Sequence, residues 1–362
     1  MSERVFNFSA GPATLPLPVL ERVKEELLAY PGAGASVMEI SHRSKAFLSI
    51  LAEAKADLKA LLNLSDDYHV LFTPGGATMQ FTMLAMNFLA GKKADYLNVG
   101  SWAGKAIKDG KRYGETRVAW SGKDENYVRM PADSELDLDP GAEYVHITSN
   151  ETIQGIQFRT EPAVNGKPII CDASSDFLSR PLDMAKYGMI YAGAQKNVGP
   201  SGTAVVVLRA DMLERVPENL PPLLDYRVTV ENDSLYNTPA SFTIYIIGLV
   251  MKWLRNEIGG LEAMQKINEE KAALLYEAID ASGGFYRGHA LPGSRSKMNV
   301  TFRVGDEEQE KRFIAEATAA GLDALKGHRS VGGCRASIYN AMPVEGVRAL
   351  RDFMVEFQRV NG

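Results

Sequence analysis

Short apolar runs rich in Val, Ile and Tyr recur through residues 1–250, each bounded by Gly, Pro, Ser or Asn. Such runs read as strands: Tyr68–Thr73, Tyr96–Val99, Arg117–Trp120, Tyr144–Thr148, Pro168–Cys171, Met189–Ala192 and Ala204–Leu208. Between several of them the apolar positions shift to a helical period, over Val19–Ala29, Phe47–Leu62, Thr78–Leu89 and Trp102–Lys111. Strands alternating with helices predict an α/β fold on a mostly parallel sheet, here of seven strands. Beyond an apolar stretch, Phe242–Leu254, the pattern changes. It predicts a long helix at Leu261–Ser282, a strand at Met298–Arg303, a helix at Glu307–Ala320, a strand at Ala336–Tyr339 and a last helix at Val344–Arg359. That order suits a smaller α+β domain, and the boundary is expected near Gly259–Gly260.

A chain of 362 residues supports about two domains at roughly 150 residues each. The expected division is a large domain at 16–260 and a small one at 261–362, with residues 1–15 packing near the latter. The net charge of −5 provides no global positive field, so nucleic acid and anionic membrane are not expected partners. Any anionic ligand must be caught by a local cluster. Phe242–Leu254 contains Lys252 and falls short of the roughly 20 apolar residues a spanning helix needs, so a buried helix is expected. Two cysteines, Cys171 and Cys334, suit a reducing compartment. Met1–Leu15 lacks the basic start and apolar run of a secretory signal, and a cytoplasmic location is expected. No metal site is expected.

Two strand ends carry candidate chemistry. Lys196 follows an apolar strand and a Gly-Ala pair in Met189-Ile-Tyr-Ala-Gly-Ala-Gln-Lys-Asn197. Alone it would be a solvated loop lysine. Upstream, however, Pro168-Ile-Ile-Cys-Asp172 ends an apolar run with an acid. Ligands of open α/β sheets bind beyond the carboxyl ends of their strands. A lysine and an acid there suit pyridoxal phosphate, the lysine forming the Schiff base and the acid keeping the pyridine nitrogen protonated. Gly75-Gly-Ala-Thr78 runs from a strand into a helix and offers free N–H groups to a phosphate. Thr238, with Pro239 at the first helical position, reads as the N-cap of the apolar helix and offers a second such start. Each could equally be an ordinary helix start. Trp102 follows another strand end and could stack on a flat ring, or pack in the core. Thr152 could hydrogen-bond a ring hydroxyl. Finally, His42, Arg43, His328, Arg329 and Arg335 gather cationic donors into two short segments of an acidic chain. They read either as solvated loops or as an anion-binding cluster.

Taken together, Phe8-Ser-Ala-Gly-Pro-Ala13, Ser41-His-Arg-Ser44, Gly75-Gly-Ala77, Gly193-Ala-Gln-Lys-Asn197, Asn237-Thr-Pro239, Gly327-His-Arg-Ser330 and Gly332-Gly-Cys-Arg-Ala-Ser-Ile-Tyr-Asn-Ala-Met342 resemble the phosphoserine aminotransferases. That family lies among the class V, fold-type I pyridoxal-phosphate enzymes, and the likeness runs from end to end of the chain in order. It implies a homodimer. It also implies Lys196 as the Schiff-base lysine, Asp172 as the pyridinium partner, Trp102 as the stacking residue and Thr152 at the ring hydroxyl. Ala77, Thr78 and Gln195 would form the phosphate cup, with Asn237 and Thr238 reaching it from the other subunit. Thr78 stands where the family varies. Arg335 would bind the α-carboxylate, and His328 and Arg329, with His42 and Arg43 from the other subunit, the distal anion.

The implied reaction moves the amino group of L-glutamate to 3-phosphohydroxypyruvate and back, in serine biosynthesis. For some bacteria the resemblance adds a phosphohydroxythreonine substrate in pyridoxine biosynthesis. Both amino acids carry an α-carboxylate and a distal anion, so one set of arginine forks could serve carboxylate and phosphate in turn. A cysteine desulfurase would need a mobile thiol, whereas Cys171 and Cys334 both lie in strand or motif contexts that read as structural. A non-catalytic binding protein on the same fold is the other alternative, and failure to hold cofactor would favour it.

Overall fold

The computed structural model describes residues 4–362; Met1, Ser2 and Glu3, part of the segment expected to pack near the small domain, lie outside the described residues. The chain opens with β1 (Phe6–Asn7), α1 (Leu17–Glu26), α2 (Lys45–Leu61), β2 (Tyr68–Pro74) and α3 (Ala77–Leu84), which continues as a π turn over Ala85–Leu89. There follow β3 (Lys93–Asn98), α4 (Ser101–Gly110), β4 (Glu115–Ser121), β5 (Val145–Thr148), β6 (Asn150–Glu151), β7 (Ile156–Gln157), β8 (Ile169–Asp172), β9 (Tyr187–Gly193) and β10 (Thr203–Arg209). After α5 (Tyr226–Glu231) and α6 (Ser241–Trp253), a π turn at Leu254–Ile258 leads to α7 (Leu261–Asp280). The chain ends with β11 (Tyr286–Gly288), β12 (Asn299–Val304), α8 (Glu307–Ala319), β13 (Leu322–Asp323), β14 (Cys334–Ser337) and α9 (Val344–Asn361).

The seven strands predicted in the first part of the chain form one sheet, in the order β2-β10-β9-β8-β5-β3-β4. The neighbours from β9 to β4 all run parallel. Only β10 is reversed, antiparallel to both β2 and β9. The cause is the length of the connection, Ala194–Gly202. A parallel return needs a crossover of about a dozen residues or more, so a shorter link forces an antiparallel pair. With β10 alone reversed, the carboxyl ends of β2, β3, β5, β8 and β9 open at one edge.

Alternating positions send side chains to opposite faces of the sheet. Ile190, Ala192, Val205 and Val207 pack in a core with Phe47, Leu51, Ile244 and Ile247 from α2 and α6. Met189, Tyr191, Val206 and Leu208 face a second core with Phe81 and Leu84 of α3 and Ala106 and Ile107 of α4. The apolar stretch is indeed a buried helix, α6. It starts later than predicted, however. Its N-cap is Ala240, and the Ser241 N–H donates to Pro239 O at 2.8 Å in a tight turn that leaves Asn237 and Thr238 outside the helix. Thr238, preceding a proline, is biased to extended backbone.

Residues after Gly260 build a separate core from α7, α8, α9, β12 and β14, including Leu275, Phe302, Phe313, Val347 and Phe357. Phe8 joins it from the start of the chain, and β1 pairs parallel with β13. The predicted strand at 336–339 begins two residues earlier, because Cys334 and Arg335 already pair with Phe302 and Thr301 of β12. Both cysteines are free and buried, and burial pushes both thiols well above their usual range. Among the described residues no helix is long and apolar enough to cross a membrane.

Candidate active site

Five strand ends converge on Lys196. β8 delivers Asp172 as its last residue, β9 ends at Gly193 three positions before Lys196, and the end of β5 leads directly to Glu151 and Thr152. β3 leads into α4, which carries Trp102 in its first turn, and β2 leads through Gly75 and Gly76 into α3. Gly75 has φ +87, a left-handed conformation that glycine adopts without strain.

Lys196 Nζ donates to Thr152 Oγ1 at 2.6 Å and lies 5.1 Å from the centre of the Trp102 ring. Burial drives the Lys196 pKa below the ordinary lysine value, and the charges of Asp172 and Glu151 oppose it. Lys196 itself is half-buried, whereas Asp172 is buried. Its pKa is raised by desolvation, against the charge of Lys196 and hydrogen bonds from Ser174. Both of those bonds, from the Ser174 hydroxyl at 2.6 Å and its N–H at 3.0 Å, end on Oδ1. The Ser174 hydroxyl also accepts the Gly193 N–H at 3.0 Å and so ties the Asp172 turn to the strand that leads to Lys196. Trp102 Nε1 and Thr148 Oγ1 are buried without a partner among the described residues. Thr148 stands opposite Asp172 in the β5–β8 register.

The Gly76–Thr78 turn presents a second group of unpaired donors. No side chain caps α3, so the N–H groups of Ala77 and Thr78 point out of its first turn. Gln195 is close by. A Cβ on Gly193 would lie 3.0 Å from Gln195 Oε1 and 3.4 Å from the Ala77 nitrogen, so this glycine keeps the turn open. Gly11 brings the N-terminal segment against the aliphatic part of Lys196, at 3.2 Å from its Cγ to a Cβ placed there.

Arg335 reaches the same place from the small core. Its guanidinium donates to Thr152 O at 3.4 Å, and its charge opposes protonation of Lys196. His328 is close enough to feel the charges of Arg335, Arg329 and Lys105, which with burial lower its pKa. Its Nδ1 is 2.7 Å from the Ser330 hydroxyl. Arg335 therefore lies beside the Lys196–Thr152 contact, and His328, with Arg329 next to it in the chain, lies close to Arg335. The remaining predicted residues are not brought to this group. Arg43 Nε pairs with His42 Nε2 at 3.3 Å, and Asn237 bonds only to Thr238 O. Among the described residues neither pair makes a hydrogen bond to Lys196, Asp172, Trp102 or Arg335.

Sequence reasoning passed over four residues here. Glu151 accepts the backbone N–H groups of Trp102 and Ala103; its place directly before Thr152 was the only signal. Ser174 was visible in Asp172-Ala-Ser-Ser175 but had no assigned partner. Lys105, one helical turn after Trp102, sets its Nζ 3.9 Å from that ring. Lys271, fully buried on α7, donates to the carbonyls of Ile338, Tyr339 and Met342 at 2.7–3.1 Å. It braces the segment in which the Asn340 N–H donates to Asn197 Oδ1 at 2.9 Å, next to Lys196.

Comparison with known proteins places this geometry in a family. Residues 5–350 match the family described as Aminotransferase class-V. A phosphoserine aminotransferase of Desulfosudis oleivorans is 56% identical over 364 residues, covering 100% of both chains. The solved structure of phosphoserine aminotransferase from Bacillus circulans subsp. alkalophilus superposes with a TM-score of 0.97 at 52% identity, again over 100% of each chain. That of the PLP-bound phosphoserine aminotransferase from Trichomonas vaginalis gives 0.92 at 41% identity, over 97% of this chain and 100% of the other. Seven-stranded sheet, a lysine facing a buried acid and matched length thus converge, and the chain belongs to the phosphoserine aminotransferase family of class V aminotransferases.

Proposed function

We propose that this protein reversibly transfers the amino group of L-glutamate to 3-phosphohydroxypyruvate, giving 2-oxoglutarate and O-phospho-L-serine, in serine biosynthesis. The observation that carries the reading is the half-buried Lys196 facing the buried Asp172 at the carboxyl edge of the sheet, on a chain whose family performs transamination. The cofactor is pyridoxal phosphate. The residues present fit it on features of this structure. The Trp102 ring faces Lys196 and carries a partnerless indole N–H at its edge, Asp172 Oδ2 takes neither bond from Ser174, and the α3 N–H groups stand uncapped beside Gln195. Ala77, Thr78 and Gln195 would hold the phosphate, Thr152 the ring hydroxyl and Trp102 the ring face.

When bound, pyridoxal phosphate supplies the sink for the electron pair left on the substrate. The chain's own residues do the rest. Asp172 holds a proton at the ring nitrogen, its carboxylate stabilised by Ser174. Lys196 Nζ takes the proton from the substrate Cα and would deliver it to the C4′ carbon of the bound cofactor, the reverse transfer serving the second half-reaction. A lowered pKa keeps a fraction of the amine free for that work. Arg335 binds the α-carboxylate, while His328 and Arg329 face the distal carboxylate or phosphate.

The proposal includes a homodimer in which the partner's His42, Arg43, Asn237 and Thr238 complete each site. Supporting it, among the described residues the four make no bond to the Lys196 group, and Met38 and Tyr236 expose large apolar side chains close to them in the chain. Two domains, 16–260 and 261–362, are proposed on the separate cores, and a cytoplasmic location on the two buried free thiols. The test is an assay of the purified protein with pyridoxal phosphate, L-glutamate and 3-phosphohydroxypyruvate. Formation of 2-oxoglutarate that requires all three is expected; turnover with another amino donor and none with glutamate overturns the substrate assignment.

A further inference from the structure

We infer that Glu151 is the positioning residue for Trp102: its buried carboxylate fixes the first turn of α4, and through it the ring face offered to the cofactor. The inference rests on the cofactor reading above and concerns a residue to which that reading gives no role. Glu151 is fully buried and has no ion-pair partner among the described residues. Its Oε1 accepts the N–H of Trp102 at 2.9 Å and of Ala103 at 2.8 Å, and Oε2 accepts that of Trp102 at 3.1 Å. These are orphan donors of a helix start, where a carboxylate is favoured both by hydrogen bonding and by the helix dipole. A neighbouring side chain completes the grip. Gln154 accepts the Ser101 N–H at 3.4 Å and donates to the Ser101 hydroxyl at 2.9 Å.

The approach is possible only because residue 100 is glycine. A Cβ there would lie 2.5 Å from Glu151 Cδ. The α4 terminus is therefore built around this acid. An acid so buried, without a cation in contact, is costly unless hydrogen bonds offset its desolvation, and here the backbone donors of Trp102 and Ala103 supply them. What it holds is the backbone of the one tryptophan whose ring faces Lys196. The charged groups that act on Glu151 across the site are Asp172 and Lys196, the former raising and the latter lowering its pKa, which burial brings to about 7.

The expected behaviour differs from that of a merely structural acid. Glu151→Gln keeps the volume but replaces one acceptor oxygen with an N–H2 group aimed at backbone donors. Its dissociation constant for pyridoxal phosphate, read by titrating the cofactor-free protein and following the visible circular dichroism of the bound cofactor, should rise at least fivefold. The decisive measurement is the same change in a Trp102→Ala background. If Glu151 acts through the ring, E151Q adds less than twofold there; an equal fivefold effect in both backgrounds means an independent role and overturns the inference. An unchanged constant in E151Q alone does so too. Should E151Q lose its far-UV spectrum, Gly100→Ala pushes a methyl into the carboxylate from the helix side and carries the same two-background prediction. Wild-type protein that binds no pyridoxal phosphate would instead remove the cofactor reading on which this step rests.

Discussion

Lys196 and Asp172 are held by linked hydrogen bonds near strand ends: Lys196 donates to Thr152, Ser174 donates to Asp172, and the Gly193 N–H donates to Ser174. Arg329 and Ser330, by contrast, are exposed on a loop, and the His328 ring is held chiefly by its neighbour Ser330. One end of the site, where Asp172 is buried and Lys196 half-buried, is therefore the drier and pre-set one; the other, with Arg329 and Ser330 exposed, is the wetter and adjustable one. The chemistry assigned to each end demands that difference. A proton transfer at a substrate carbon needs a base fixed in place with a shifted pKa, which burial supplies. An end that must accept a carboxylate in one half-reaction and a phosphate in the other gains from mobile arginine forks, which fit both anions.

The comparison predicts how substitutions at the two ends separate. Lys196→Ala should give the largest effect, a fall in kcat of about 10²–10⁴-fold or more, since general acid–base work is of that size. Steady-state assay of glutamate turnover measures it, and residual activity above a few per cent would break the assignment of Lys196 as the base. Arg43→Ala should be nearly inactive at phosphoserine concentrations far below its raised KM. Mixing it with Lys196→Ala under conditions of subunit exchange should restore activity, because a mixed dimer retains one intact site. No recovery on mixing contradicts a shared site. Arg329→Ala comes next, raising KM for phosphoserine by roughly 10–150-fold, the equivalent of ~1.5–3 kcal/mol for a charge-assisted bond. Its kcat should change little, so the KM-against-kcat split separates the wetter end from the drier one.

How much of this could be read in advance followed the same division. All seven sheet strands were legible because each is a short apolar run with a turn at both ends. The reversal of β10 was not, because strand direction depends on the length of the Ala194–Gly202 link and not on the strand's own residues. Lys196 and Asp172 were legible as polar residues terminating apolar strands. Glu151 was hidden: its hydrogen-bond partners lie 48 and 49 residues earlier, on a helix start that shows no local sign of needing an acid. At the wetter end the charges were visible as two motifs, but only the fold shows Arg335 meeting Thr152 while His42 and Arg43 stay apart from them. A helix cap can be misread in the same way. Thr238 and Pro239 have the right chemistry for a start at that point, yet a turn closed by Ser241 delays α6.

The smallest predicted effect tests the adjustable end alone. Burial and the nearby charges of Arg335, Arg329 and Lys105 depress the His328 pKa below the ordinary 6.5, so at pH 7 the free protein holds it neutral. Its Nδ1 accepts the Ser330 N–H at 3.2 Å, an arrangement that assigns the ring proton to Nε2, the nitrogen left to donate. A dianionic phosphate beside this ring favours the charged imidazolium and raises the pKa. Binding phosphoserine must then take up protons near pH 7, and by linkage its affinity falls as the pH rises from the free toward the bound value. Glutamate, with a single distal charge, should take up fewer. Calorimetric titration in two buffers of different ionisation enthalpy reads the number directly. His328→Asn should abolish the excess uptake for phosphoserine while leaving the glutamate value nearly unchanged. If the excess survives that substitution, the proton goes elsewhere in the cluster, and His328 is a hydrogen-bond donor of fixed charge.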